Sequence, residues 1–357
     1  MRQALLVCFV FSALTLGCKK SDDSNNGGGD AATVFDAPPL SGDVYSLKWP
    51  TQTTHMGDEQ TQCIWMRLNN TTPIKVHQIH NTLAQTSHHL IIYKDDVDMT
   101  EQLTPIKCQG FTGALNPSGN VAPLVITQKE DDEVTLPDHV AYTLGANQMI
   151  KIELHWINST DGDADTNASI NFYAADPATI TDEAGVLFSG SLDINIPAQG
   201  QATLHQFLTL PTADLNMSAS KIFAITGHTH KLGTQVTVGT ADSRTGTVTT
   251  VYNPMPFSWS EPLTTNFATP FSVPAGGGFD FQCNWTNTTN AAVKFGESAN
   301  QEMCFFWVYY YPAQTPKVCA HTQQYGGQNG TDLCCPSSNS LCMLIGNQLG
   351  SGSGSGN

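Results

Sequence analysis

Short runs rich in β-branched and aromatic residues recur along this chain, and each is closed by Asn, Asp, Gly or Pro. Residues 64–68, 89–93, 149–157 and 168–173 follow the pattern in the first half. Residues 202–210, 221–226, 235–239, 247–252, 278–285 and 303–311 repeat it in the second. Such runs predict strands, because branched and ringed side chains pack well on a pleated surface and the closing residues favour turns. No stretch shows the three-to-four-residue apolar spacing of a long amphipathic helix. The pattern predicts an all-β protein made of two tandem antiparallel jelly-roll domains, each a β-sandwich.

Length supports two units. The chain has 357 residues, and roughly 320 remain after the N-terminal segment, more than one hydrophobic core usually serves. Residues 40–178 are the expected first domain and 185–313 the second, connected through 176–190. After Pro312 the composition turns to Gly, Gln and Cys, so 314–349 reads as an extension and 350–357 as a flexible Gly/Ser tail. At the other end, Arg2, an apolar stretch over 4–16 and Gly17-Cys18 form the layout of an export signal over residues 1–18. The stretch is too short to span a bilayer. Residues 19–39, rich in Asp, Asn, Ser and Gly, read as a tether that cannot bury apolar area.

Charge narrows the partners. With 31 acidic against 15 basic residues, the surface repels phosphate backbones, and nucleic acid is not an expected partner. Of ten cysteines, Cys8 and Cys18 lie in the signal, leaving eight. Export and an even count favour disulfides, and no Cys-x-x-Cys pair proposes a zinc site.

Histidine supplies the candidate chemistry. Gly227-His228-Thr229-His230-Lys231-Leu232-Gly233 follows an apolar run, and residues two apart on a strand share a face, so both imidazoles can meet one ion. His88 and His89 are adjacent, and neighbours on a regular strand point to opposite faces. Joint use of both therefore requires a strand end or a bulge. His155 shares a strand face with Lys151 and Glu153, a polar face expected to meet solvent or a cleft. Met303, in Glu302-Met303-Cys304, offers a soft thioether that favours copper over zinc.

These motifs, in this order, resemble the copper type II, ascorbate-dependent monooxygenases, the family of peptidylglycine alpha-hydroxylating and dopamine beta-monooxygenases. The resemblance runs from about residue 40 to Pro312. It implies copper at two mononuclear sites facing each other across a solvent-filled cleft: His88, His89 and His155 at one, and His228, His230 and Met303 at the other, where oxygen is activated. It further implies disulfides Cys63–Cys108 and Cys283–Cys304, a small-molecule substrate, O2, and ascorbate or another one-electron reductant. Peptide-amidating members carry an arginine where this chain has Thr226, so the carboxylate clamp is absent here. Phe305 and Trp307 then imply an apolar or aromatic substrate pocket. The competing reading is a copper carrier or sensor without turnover. Gly17-Cys18 also resembles a bacterial lipobox, with Thr15 in place of the usual leucine. That resemblance implies a lipid on Cys18 and a place in the bacterial cell envelope, with the anchor as the sole membrane contact. A monomer is expected.

Overall fold

The computed structural model describes residues 43–108, 110, 120–211, 215–296, 298–324, 330–336 and 342. The expected export signal, Cys18, the tether and the tail lie outside the described residues. Strands dominate, and no α-helix is present among the described residues. Among the described residues no helix is long and apolar enough to cross a membrane.

The first half builds two sheets. One has the strand order Val44–Thr54, Ala164–Ala175, Ile74–Leu83, Val140–Leu144, Asp182–Glu183, with Asp131–Thr135 also on Ile74–Leu83. The other runs Gln102–Lys107, Glu59–Arg67, Met149–Ile157, Ser87–Asp95, Val121–Thr127. In Ala164–Ala175 the alternation works as a pattern of two predicts: Ala168, Ile170 and Phe172 are buried, while Asn167, Ser169 and Asn171 lie partly in solvent. The second half repeats the plan. Thr264–Phe271, Lys221–His228, Cys304–Tyr311, Gly185–Ser191, Val318–Thr322 and Thr331–Cys335 form one sheet, and Gly200–Thr209, Gly278–Asn287, Gly233–Ala241 and Thr249–Tyr252 another.

Cys304–Tyr311 is buried along almost its whole length. It is a central strand with neighbours on both sides, so its sequence is a continuous apolar and aromatic run rather than an alternation. One of its faces belongs to a core that both halves share. Met303, Phe305, Trp307 and Tyr309 cluster with Leu90, Ile92, Leu124 and Ile126 from the first half. The Tyr309 hydroxyl both accepts from Ile126 N and donates to Ile126 O, each at 3.2 Å. The described residues belong to one compact unit.

Three expectations need correction. The polar face of Met149–Ile157 does not meet solvent: Lys151, Glu153 and His155 are 4%, 0% and 3% exposed. The Lys151 ammonium is 3.8 Å from Glu153 and lies over the Trp65 and Tyr93 rings at 5.6 and 4.9 Å. Burial lowers its pKa, while Glu153, Asp95 and Asp98 pull it back up. An opposite charge and aromatic faces thus replace water. The presumed connection over 176–190 contains the buried strand Gly185–Ser191, whose run Val186-Leu187-Phe188 requires a core. Finally, the extension is not separate. Val318–Thr322 pairs in parallel with Gly185–Ser191, and disulfides Cys319–Cys334 and Cys335–Cys342 fasten it. The two implied disulfides, Cys63–Cys108 and Cys283–Cys304, are also formed.

Candidate metal centre

His89 and His155 are direct cross-strand partners on Ser87–Asp95 and Met149–Ile157. The register between these strands shifts between Ser87 and His89. That bulge is the irregularity two adjacent histidines need if both are to turn toward one point. Ring centroids lie 5.5 Å apart for His88–His89, 5.1 Å for His88–His155 and 4.9 Å for His89–His155. One nitrogen from each ring lies within 4.8 Å of the others.

His228 ends the strand Lys221–His228, and His230 follows in a turn closed by Gly233 N donating to His230 O at 2.9 Å. Both glycines flanking this motif are sterically required. A Cβ on Gly227 would lie 2.6 Å from Val236, and one on Gly233 would collide with Thr229. The two rings are 5.1 Å apart and nearly perpendicular. Across the sheet, His228 pairs with Phe305, and Thr226 with Trp307. Met303 directly precedes the strand Cys304–Tyr311, and its side chain is buried in the shared core.

The two histidine sets touch. The His88 ring lies 5.7 Å from His230 and 6.4 Å from His228. Ring contact leaves no solvent-filled cleft between them, contrary to the expectation. The shared core and the hydrogen bonds between the halves draw the two sheets together.

Hydrogen bonds choose which nitrogen each ring presents. His155 Nε2–H donates to Glu59 at 3.1 Å, His228 Nδ1–H to Gln128 Oε1 at 2.7 Å, and His230 Nδ1–H to the Gln301 carbonyl at 2.9 Å. His88 Nδ1 lies 3.2 Å from His89 Nδ1. Buried nitrogens without a hydrogen-bond partner remain on His88 (Nε2), His155 (Nδ1) and His228 (Nε2). A buried polar atom with no partner is costly, and an imidazole anchored through one nitrogen with the other open is how histidine holds a metal. Neutral imidazole nitrogens are donors that fit copper.

Electrostatics agree. Burial, followed by the neighbouring histidines, holds the pKa of His88, His89 and His228 well below the ordinary value of 6.5. Burial lowers His230 to about 4, although its bond to Gln301 raises it. These four rings are therefore neutral at pH 7, as a metal requires. For the metal-free protein this predicts acid lability. A histidine depressed in the fold contributes stability that is fully present above its unfolded value of about 6.5 and is lost as pH falls toward its folded value. Glu302, raised by burial to about 7, acts oppositely, but it is one group against four. The urea midpoint of metal-free protein should be clearly lower at pH 5 than at pH 8, and equal midpoints would contradict this account.

Sequence reasoning assigned no role to four residues that frame the centre. Burial pushes the Glu59 carboxyl up, but His155 together with the Ala299 N–H and Ser298 outweighs this and holds it at about 2. Glu59 also accepts from Ala299 N at 2.8 Å, which ties the first half to the segment before Met303. The Glu302 carboxylate accepts from His230 N (2.9 Å), Leu232 N (2.7 Å) and Trp285 Nε1 (2.9 Å). Gln128 anchors His228, and Trp259 sits 6.0 Å from the His88 ring. No local signal marks Gln128, Trp259 or Glu59, whereas Glu302 stands inside the Glu-Met-Cys motif. Of the pocket residues, Phe305 is fully buried and stacked on Phe188 at 4.7 Å. Trp307 lies between Phe188 and His228, at 6.3 and 6.2 Å. The Thr226 hydroxyl bonds that of Thr264 at 2.8 Å.

Among solved structures, the chain is similar to a protein with a triple jelly-roll fold from the turret of an archaeal virus, at 9% identity and TM-score 0.22. The match covers 79% of this chain and 62% of that one. It is similar to a family 86 glycoside hydrolase solved with neoagarooctaose (8% identity, TM-score 0.19, 73% of this chain and 33% of that one). A β-porphyranase from Bacteroides plebeius of the same family gives 11% and 0.18, covering 74% and 37%. The chain thus spans less than two thirds of each, and likeness this distant carries no argument. The informative match is to a family: residues 182–329 match the copper type II ascorbate-dependent monooxygenase C-terminal domain. The matched residues 182–329, which are similar to that family's C-terminal domain, contain His228, His230 and Met303.

Proposed function

We propose that this protein is a copper- and ascorbate-dependent monooxygenase that inserts one oxygen atom of O2 into a C–H bond of an apolar or aromatic small molecule. The observation that carries this reading is the meeting of five buried histidines from both halves, three of them (His88, His155 and His228) with a ring nitrogen left open, on a chain whose second half matches the family. His88, His89 and His155 would hold one copper, and His228, His230 and Met303 the other. When bound, copper supplies one-electron redox chemistry and the activation of O2, with ascorbate as electron source. The overall change is R–H + O2 + 2e⁻ + 2H⁺ → R–OH + H2O.

The protein's own groups do the remaining work. Glu59, Gln128 and the Gln301 carbonyl orient the rings of His155, His228 and His230, while burial keeps His88, His89, His228 and His230 neutral and excludes water. Thr226 in place of a cationic clamp, with Trp307 beside His228, supports an apolar substrate over a peptide carboxylate. The reading extends to export and to a lipid anchor on Cys18.

The test is a screen of aromatic and aliphatic candidates with copper-loaded protein, O2 and ascorbate, read by mass spectrometry for the gain of one oxygen. Substrate-dependent O2 uptake with that mass gain is expected. Tight copper binding with no turnover on any candidate would favour the carrier reading, and absence of copper binding would reject both.

A further inference from the structure

We propose that Gln128 is a positioning residue for the His228 site, and that the site is complete only when the two halves are closed. This inference rests on the function proposed above. Gln128 follows the strand Val121–Thr127 of the first half, whereas His228 ends a strand of the second. Gln128 is 5% exposed, and its side-chain carbonyl accepts the His228 Nδ1 proton at 2.7 Å. A carbonyl oxygen can only accept, so this bond fixes the proton on Nδ1 and leaves Nε2 as the donor atom offered to a metal.

The other end of the same amide is also held. Gln128 Nε2 donates to the Trp259 carbonyl at 3.4 Å, and the Trp259 indole lies 6.0 Å from the His88 ring with planes 30° apart. Contacts therefore run from His88 through Trp259 and Gln128 to His228, crossing between the halves three times. If the halves separate, His228 loses the acceptor that selects its tautomer while His155, oriented by Glu59 from its own half, keeps its own. Closure thus acts on the two sites unequally. The His88, His89 and His155 set stays whole on the first half, and the His228 site depends on a residue it does not own.

The test uses the full chain and two readouts. In metal-free protein, ring ¹⁵N chemical shifts of His228 report its tautomer. The parent should show Nδ1–H, Gln128→Ala should shift toward a mixture, and Gln128→Glu, which keeps an acceptor at that place, should retain Nδ1–H. In copper-loaded protein, competition with the Cu(I) chelator bicinchoninate reports affinity. Gln128→Ala should weaken the copper lost in His228→Ala by about 10–100-fold, the usual effect of removing a ligand's hydrogen-bond partner. The copper lost in His155→Ala should be unaffected, and Gln128→Glu should restore the parent value. An unchanged tautomer in Gln128→Ala, or equal weakening by Gln128→Ala and Gln128→Glu, would overturn the proposal. Parent protein that binds no copper at His228 would instead reject the proposed function, leaving the tautomer measurement to decide the role of Gln128.

Discussion

Met303→Ile is expected to abolish oxygen insertion while the histidine site of the first half keeps its copper. The reasoning separates folding from chemistry. Met303 is 1% exposed and belongs to the core shared by both halves, so a polar or small replacement would perturb packing. Isoleucine nearly conserves volume, and such swaps usually cost less than about 1.5 kcal/mol. What it removes is the thioether, the soft donor proposed above to hold reduced copper with His228 and His230. Removing an outer partner of a metal ligand typically costs about 10–100-fold, so losing a ligand should lower turnover by at least about 100-fold. Copper analysis, unfolding midpoint and O2 uptake on the same preparation test this. Full turnover with normal copper content would remove Met303 from the site.

Glu302→Ala should have the largest effect on the protein itself. The carboxylate is wholly buried and accepts from His230 N, Leu232 N and Trp285 Nε1. Deleting it leaves three buried donors unpaired, at about 1–3 kcal/mol each. A loss of roughly 3–9 kcal/mol is a large share of the roughly 5–15 kcal/mol that keeps a domain folded. The loss should be local as well as global, since two of the three donors are in the turn that carries His230. Urea unfolding of the metal-free variant should show the destabilisation, and copper binding at the His228 site should weaken. Glu302→Gln keeps the shape and one acceptor, and should fall between the parent and alanine. A change below about 1 kcal/mol in Glu302→Ala would mean that the carboxylate does not hold this turn.

The acidic surface and the paired cysteines have a simple relation to the site. Net charge of −16 governs what approaches the protein, whereas the disulfides govern how its strands are held. Cys283–Cys304 joins two strands from different sheets of the second half next to Met303. The bridge limits how far the segment presenting Met303 can drift from His228.

Much of the strand pattern was legible in the amino-acid order alone. Residues 149–157 were read as a strand and form one with those ends, because an apolar run bounded by turn residues encodes its own faces. The adjacency of His88 and His89 demanded a local irregularity, and a register shift stands there. His228 and His230 also lie close together, at 5.1 Å between rings, but through the turn that follows the strand rather than through strand alternation, because the strand ends at His228. Strands such as Val44–Thr54 and Ile74–Leu83, with more polar alternation, escaped the same reading.

What tertiary structure alone decided is the meeting of the two histidine sets and the identity of the residues that orient them. Gln128 reaches a histidine 100 residues away, and Glu59 reaches Ala299 across 240. Nothing local distinguishes that glutamine or that glutamate from others on the surface. Their roles arise when two sheets, each folded for its own apolar face, pack through Phe305, Trp307 and Tyr309 and bring buried polar groups within bonding distance. Periodicity determines which side of a strand a residue occupies, and the packing of one sheet against another determines what it meets there.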